Sequence, residues 1–319
     1  MTGEWGDLIT NDRGLRDRPS IAAIGEQRTV HPPPAPPSGM VRNDRDAAIV
    51  ALIDRDIERA ANTYTRAAHA TVAGLENEGE NRDLLGADAR WAGHALSYLL
   101  LSAACYRVGG APDRGTARCQ EGIALAGDLR DAVLTDPFDR ACCVEFVADF
   151  EAVGGLDSAD TGGGADGGED AAPGGSEGRE GNGNGNASGD DYDRAIAAYE
   201  AVSNGSTDPM SWATSPMAEA ARRGSQQIAR NTPHAFAWDD LHGSNPDSIA
   251  YLTHRSRCKR SQLPLSIEHA TDEGYVHPPR GTTEHNNATW RCPNCGHSEV
   301  NRIAGEVICL DCSVRMERA

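Results

Sequence analysis

Four of the nine cysteines in this 319-residue chain fall into one pattern. Cys292-Pro293-Asn294-Cys295-Gly296 and Cys309-Leu310-Asp311-Cys312 read C-x2-C-x13-C-x2-C. A CxxC turn presents two thiolates on one side of a tight loop. Two such turns at this separation set four sulfurs at the vertices of a tetrahedron, with metal–sulfur distances of about 2.3 Å for zinc. One Zn2+ per chain is therefore expected on Cys292, Cys295, Cys309 and Cys312. Further candidate chemistry lies upstream. Cys258 sits in the run His254-Arg255-Ser256-Arg257-Cys258-Lys259-Arg260, the one basic cluster and the place of the only lysine. With His254, His277 or His285 it could make a second metal set; a solvated basic face with surface histidines is the default reading. Cys105, Cys119, Cys142 and Cys143 fall on apolar helical faces and read as small core residues. Gly162–Gly167 and Gly174–Gly178 match GxGxxG and GxSxG only formally, because neither follows a strand nor opens a helix. No catalytic residue is assigned.

The elements that must hold the four thiolates are short. Val300–Ile303 and Glu306–Ile308 read as two strands joined by a turn at Ala304-Gly305. Trp290 on one side and Val314 and Met316 on the other can add a further strand and a miniature core. About 30 residues cannot fold on burial alone, so the metal stabilises this unit. A rubredoxin-type iron site usually carries Pro and Gly at both turns. The second turn here has neither, which favours zinc.

The string CPNCG…GEVICLDC resembles the zinc ribbon of transcription initiation factor IIB, in its CPxCG, its Gly-Glu-Val turn and the closing CxxC. The resemblance implies the same four cysteines as ligands and spans 290–319. The spacer is on the short side, Ser313 stands where that family has Gly, and no cyclin-like repeats are present. A general initiation factor is therefore not implied.

The rest of the ordered chain reads as helix. Apolar residues recur at three- and four-residue spacing over 44–74, 91–108 and 113–133. A further helix opens on Asp136-Pro137, an N-cap followed by proline at the first helical position, and stops at Gly154-Gly155. Helix resumes over 192–203 and again from Ser215-Pro216 to about Arg230. Three segments share small–x3–larger–x2–small spacing: Ala60, Tyr64, Ala67; Gly115, Cys119, Gly122; Ala195, Tyr199, Val202. They resemble the second helices of tetratricopeptide (TPR) hairpins, where small residues let paired helices approach closely. The fold class expected is mainly α: TPR-like helical hairpins, or an irregular helical bundle, with a small C-terminal β zinc ribbon. The domains expected are a Pro-rich disordered tail at 1–43, a helical domain at 44–230 with a disordered acidic Gly-rich insert at 158–190, an irregular connecting region at 231–289, and the ribbon at 290–319.

Charge bounds the function. The chain carries 48 acidic and 30 basic residues, a formal net charge of −18. Acid excess with almost no lysine resembles the proteins of salt-accumulating archaea, and it argues against generic binding to phosphate backbones or anionic membranes. The first twenty residues hold no apolar leader and the longest apolar run, Ala95–Tyr106, is too short to span a bilayer. A cytoplasmic protein is expected. The leading functional reading is a non-catalytic zinc-binding interaction or adaptor protein whose helical domain takes a protein partner, with nucleic acid reached only indirectly. The alternative is a nucleic-acid-associated transcription regulator acting through the ribbon and residues 254–260. A third is an enzyme with its site in the His-rich stretch 231–289.

Overall fold

The first described helix opens on a paired acidic start, Asp44 and Asp46. The computed structural model describes residues 44–73, 89–156, 188–203, 215–242 and 250–319. All of them belong to one unit, Arg42–Ala319. The tail expected at 1–43 and most of the insert expected at 158–190 lie outside the described residues; Ser188–Asp190 form the first turn of a helix.

The single helix expected over 44–74 is two. Helix α1 (Asp44–Ile53) ends where Arg55 turns left-handed at φ 64°. The Asp56 carboxylate then accepts the Arg59 N–H at 3.1 Å and caps α2 (Ile57–Val72). Helices α3 (Arg90–Val108) and α4 (Pro112–Asp128) follow, the latter running into one π-helical turn, Leu129–Val133. Helix α5 (Pro137–Gly154) starts as its sequence requires, with Asp136 Oδ1 accepting the Phe138 N–H at 2.7 Å, and ends on Gly155 at φ 61°. Helix α6 is Ser188–Ser203.

These six form three successive pairs, α1–α2, α3–α4 and α5–α6, with α2 packed on α3 and α4 on α5. The small residues mark the closest approaches. A Cβ at Gly115 would lie 3.0 Å from the Ala103 carbonyl oxygen of α3, and one at Gly122 would lie 2.1 Å from the Phe150 ring of α5. Helix α7 (Pro216–Ala229) lies along α3, where a Cβ at Gly93 would meet Ala220 Cβ at 2.8 Å.

Region 231–289 is not the irregular connection expected. It holds α8 (Trp238–His242), the 24-residue α9 (Ala250–Glu273) and a first strand. Helix α9 packs on α3, α5, α6 and α7, so the chain's own α7 and α9 cover the faces of α3 and α5 turned away from their hairpin partners. Its apolar period is weak because its buried face carries Thr253, Arg255, Ser256, Lys259 and Ser266, and Pro264 interrupts it.

The C-terminal sheet runs β1 (Thr282–Glu284), β3 (Val300–Ile303), β4 (Glu306–Cys309), all antiparallel, with β2 (Trp290–Arg291) paired separately to β5 (Glu317–Arg318). The β3–β4 turn, Ala304 at φ 51° and Gly305 at φ 75°, has the two left-handed residues of a tight hairpin. The sheet thus starts at Thr282, eight residues ahead of the boundary expected. None of the described helices is long and apolar enough to cross a membrane.

Candidate metal centre

The two CxxC turns are built alike, bond for bond. In the first, the Cys292 N–H donates to the His297 carbonyl at 2.9 Å and the Gly296 N–H to the Cys292 carbonyl at 3.0 Å. In the second, the Cys309 N–H donates to the Val314 carbonyl at 2.8 Å and the Ser313 N–H to the Cys309 carbonyl at 3.1 Å. The residue after each second cysteine must turn left-handed. Gly296 does so at φ 77°, and Ser313, lacking glycine's freedom, at φ 61°.

This geometry brings all four sulfurs within 4.8 Å of one another. Cys292–Cys312, Cys295–Cys309 and Cys295–Cys312 are 3.4, 3.5 and 3.6 Å apart. A tetrahedral ion with bonds of about 2.3 Å sets sulfur–sulfur edges of about 3.8 Å, so the set fits a metal after an outward move of a few tenths of an ångström. Backbone N–H groups of Asp311 and Cys312 point at Cys309 sulfur, and that of Val314 at Cys312 sulfur. Burial raises the Cys312 thiol, but the Val314 N–H, the Asn294 side chain and its cysteine neighbours outweigh it and bring it to about 7. Such donors favour the thiolate, the form a metal requires, and prevail at Cys312, while at Cys309 burial outweighs them and pushes the thiol up to about 12. Cys292 and Cys309 are buried, while Cys295 is exposed. The four cysteines in the C-terminal region can therefore hold a metal ion.

The helical body grips the second turn through three consecutive carbonyls. Arg230, at the end of α7, donates to the Leu310 oxygen at 2.5 Å and also to the Pro278 oxygen. Asn231 donates to the Asp311 oxygen, and Arg55 to the Cys312 oxygen at 3.3 Å. The Arg55 guanidinium lies 3.3 Å from the Tyr275 ring centroid, and the Tyr275 hydroxyl donates to the Leu52 carbonyl at 3.1 Å. Buried Ile308 packs with Ile49 and Ile53 of α1. None of these residues carries a sequence signal of docking.

The remaining candidates separate. His277 joins this contact, its Nδ1 2.9 Å from the Ser313 hydroxyl, and burial beside Arg230 and Arg55 lowers it to about 4. His285 lies 3.2 Å from Glu299. Only His254 stands by Cys258, Nε2 to sulfur 3.5 Å, and Asp240 joins them at 3.9 Å from the sulfur.

Nor is the basic run a solvated face. Arg255 and Lys259 are 1 % and 0 % exposed. Arg255 pairs with Glu145, its Nε to Oε1 at 2.9 Å. Lys259 Nζ lies 2.7 Å from Asp149 and 2.8 Å from Glu145. The Tyr192 hydroxyl donates to Asp149 at 2.7 Å and the Tyr199 hydroxyl to Glu145. Arg260 pairs with Asp193 at 2.6 Å and Arg257 faces Glu200 at 3.9 Å. A signal was present in the sequence: Glu145 and Asp149 sit four apart among the apolar residues of α5, and Arg255 and Lys259 repeat that spacing with opposite sign. Comparison of the chain with protein-family models, with curated proteins and with solved structures finds no match.

Proposed function

We propose that this protein is a non-catalytic adaptor in which a zinc-loaded ribbon buttresses a helical body that presents the partner surface. The observation carrying this reading is the grip on Leu310, Asp311 and Cys312, which ties the metal-bearing turn to α1 and α7 rather than leaving it a free finger. The partner surface we favour is the furrow of about 830 Å3 between α2 and α4. Arg59, Arg66, Arg114 and Arg118 line it, each already paired with a carboxylate at the rim: Asp54, Asp44, Glu58 and Glu121 respectively. A polar protein segment able to hydrogen-bond these guanidinium groups and carboxylates suits it. The nucleic-acid alternative loses two of its cations to the core, since Arg255 and Lys259 are buried in ion pairs.

Affinity capture on the full chain in high salt, with and without nuclease, tests this. We expect a stoichiometric protein partner that survives nuclease and is lost on Arg114→Glu with Arg118→Glu. Sub-micromolar binding of mixed-sequence DNA or RNA that persists at high KCl would overturn the reading in favour of the regulator.

A further inference from the structure

The edge between α8 and α9 carries a second cluster that the ribbon does not use. His254 and Cys258 lie four residues apart, one helical turn, so their side chains share one face of α9. The rotation of that helix is fixed from an adjacent flank, about 100° round the axis. Arg255 and Lys259, each one residue further on, are locked into Glu145 and Asp149 of α5, which turns the preceding positions towards α8. There Asp240 waits with its carboxylate already oriented: Oδ2 accepts the Ala237 N–H at 2.8 Å, leaving Oδ1 aimed at the Cys258 sulfur.

The three ligand atoms lie within 4.8 Å of one another. Zinc bonded at about 2.3 Å to sulfur and about 2.0–2.2 Å to imidazole nitrogen and carboxylate oxygen would set the sulfur–nitrogen and sulfur–oxygen edges at about 3.6 Å. The observed edges are 3.5 Å and 3.9 Å. One thiolate, one imidazole and one carboxylate form a donor set of intermediate softness, suited to zinc and poorly suited to magnesium or calcium, which take oxygen. We propose that Asp240, His254 and Cys258 form a second site for a zinc-class divalent cation, with the fourth position left to water or an incoming ligand. Such a site differs in kind from the ribbon's closed four-thiolate set, because three protein ligands leave the ion open. It stands on its own geometry and does not depend on the adaptor reading.

Trp238, two residues before Asp240 and 72 % exposed, offers a reporter. Full-length protein, equilibrated with zinc and freed of excess by gel filtration, should hold two equivalents by elemental analysis. Cys258→Ser and His254→Ala should each hold one, and the pair Cys295→Ser with Cys312→Ser should also hold one. In the cobalt form, the ribbon gives the intense absorption of a tetrathiolate ion. The second equivalent should add a weaker, one-thiolate spectrum and quench Trp238, a loss of emission absent from Cys258→Ser and from Trp238→Phe. A single equivalent in the unaltered chain, or a second one that survives both Cys258→Ser and His254→Ala, overturns the proposal.

Discussion

Charge at single residues decides how the molecule is held together. Glu145, Asp149, Arg255 and Lys259 balance one another within a core where all four are at most 1 % exposed. Removing one partner from such a set strands an uncompensated charge, which costs about 3–5 kcal/mol. Lys259→Met should therefore lower unfolding stability by that amount in denaturant titrations. Adding Asp149→Leu should restore a large part, since apolar replacement of a whole buried pair is often neutral; a double variant no more stable than the single one would show that the charges themselves are indispensable. The same cluster sets an acid limit. Burial raises the Glu145 carboxyl, but Arg255 and Lys259 outweigh that and hold it at about 2, below its ordinary 4.5. A depressed acid stabilises the fold above about pH 4.5 and gives that up as pH falls towards 2, whereas Asp149, which burial raises to about 6, works in the opposite direction, so the cluster loses less in acid than Glu145 alone would give. Thermal melts of Glu145→Gln should accordingly lie well below the unaltered protein at pH 7, with the gap narrowing steadily between about pH 4.5 and 2. At this scale the cysteine spacing was fully legible, because four ligands of one type at fixed intervals admit one geometry. The basic run was misread because composition reports charge and not burial.

Elements were legible in proportion to how ordinary their buried faces are. Helices α3, α5 and α7 carry apolar stripes with Asp136-Pro137 and Ser215-Pro216 starts, and each lies within a residue or two of its expected bounds, whereas α4 ends five residues short of its expected end and gives way to the π-helical turn. Helix α9 buries charge and serine, so periodicity could not find it, and the α1–α2 break rests on the left-handed Arg55, which no residue preference announces. The ribbon's strands and the turn at Ala304-Gly305 followed from the motif, whereas β1 lay outside it. Ser313 shows what one element asks of one residue. Its φ of 61° strains a side-chain-bearing residue by about 1 kcal/mol, while its hydroxyl meets His277. Ser313→Ala keeps the strain and loses the hydrogen bond, whereas Ser313→Gly loses the bond but relieves the strain. The glycine variant should lie near the unaltered protein and the alanine variant about 1 kcal/mol below it in zinc-loaded protein. Equal stabilities of the two variants would mean that the turn carries no backbone strain.

For the whole molecule, the metal and the helical core ought to be linked through a small contact. The C-terminal unit is too small to hold its shape by burial, so, with zinc on the four cysteines as proposed, its removal should free the second CxxC turn. That turn supplies the acceptors for Arg230, Asn231 and Arg55, and its sheet supplies Ile308 to the apolar seat made by Ile49 and Ile53. Losing it leaves α1 and the end of α7 uncovered, while the middle of α3, buried among α2, α4 and α7, keeps its neighbours. The effect should then be local rather than global. Salt should matter little, because the Arg315–Asp54 pair at 2.7 Å, the ion pair seen across this contact among the described residues, is half-exposed, and such pairs contribute about 0–1 kcal/mol. Hydrogen exchange on the full chain, with zinc and after chelation, checks this at low and molar KCl. Amides of 49–53 and 228–231 should exchange at least about tenfold faster without zinc, a local loss of about 1.4 kcal/mol, and those of 96–104 should not change. Identical exchange at 49–53 in both states would mean that the docked turn keeps its shape without the ion. The ribbon would then be a passenger on the helical body, and the buttress on which the adaptor reading rests would be gone.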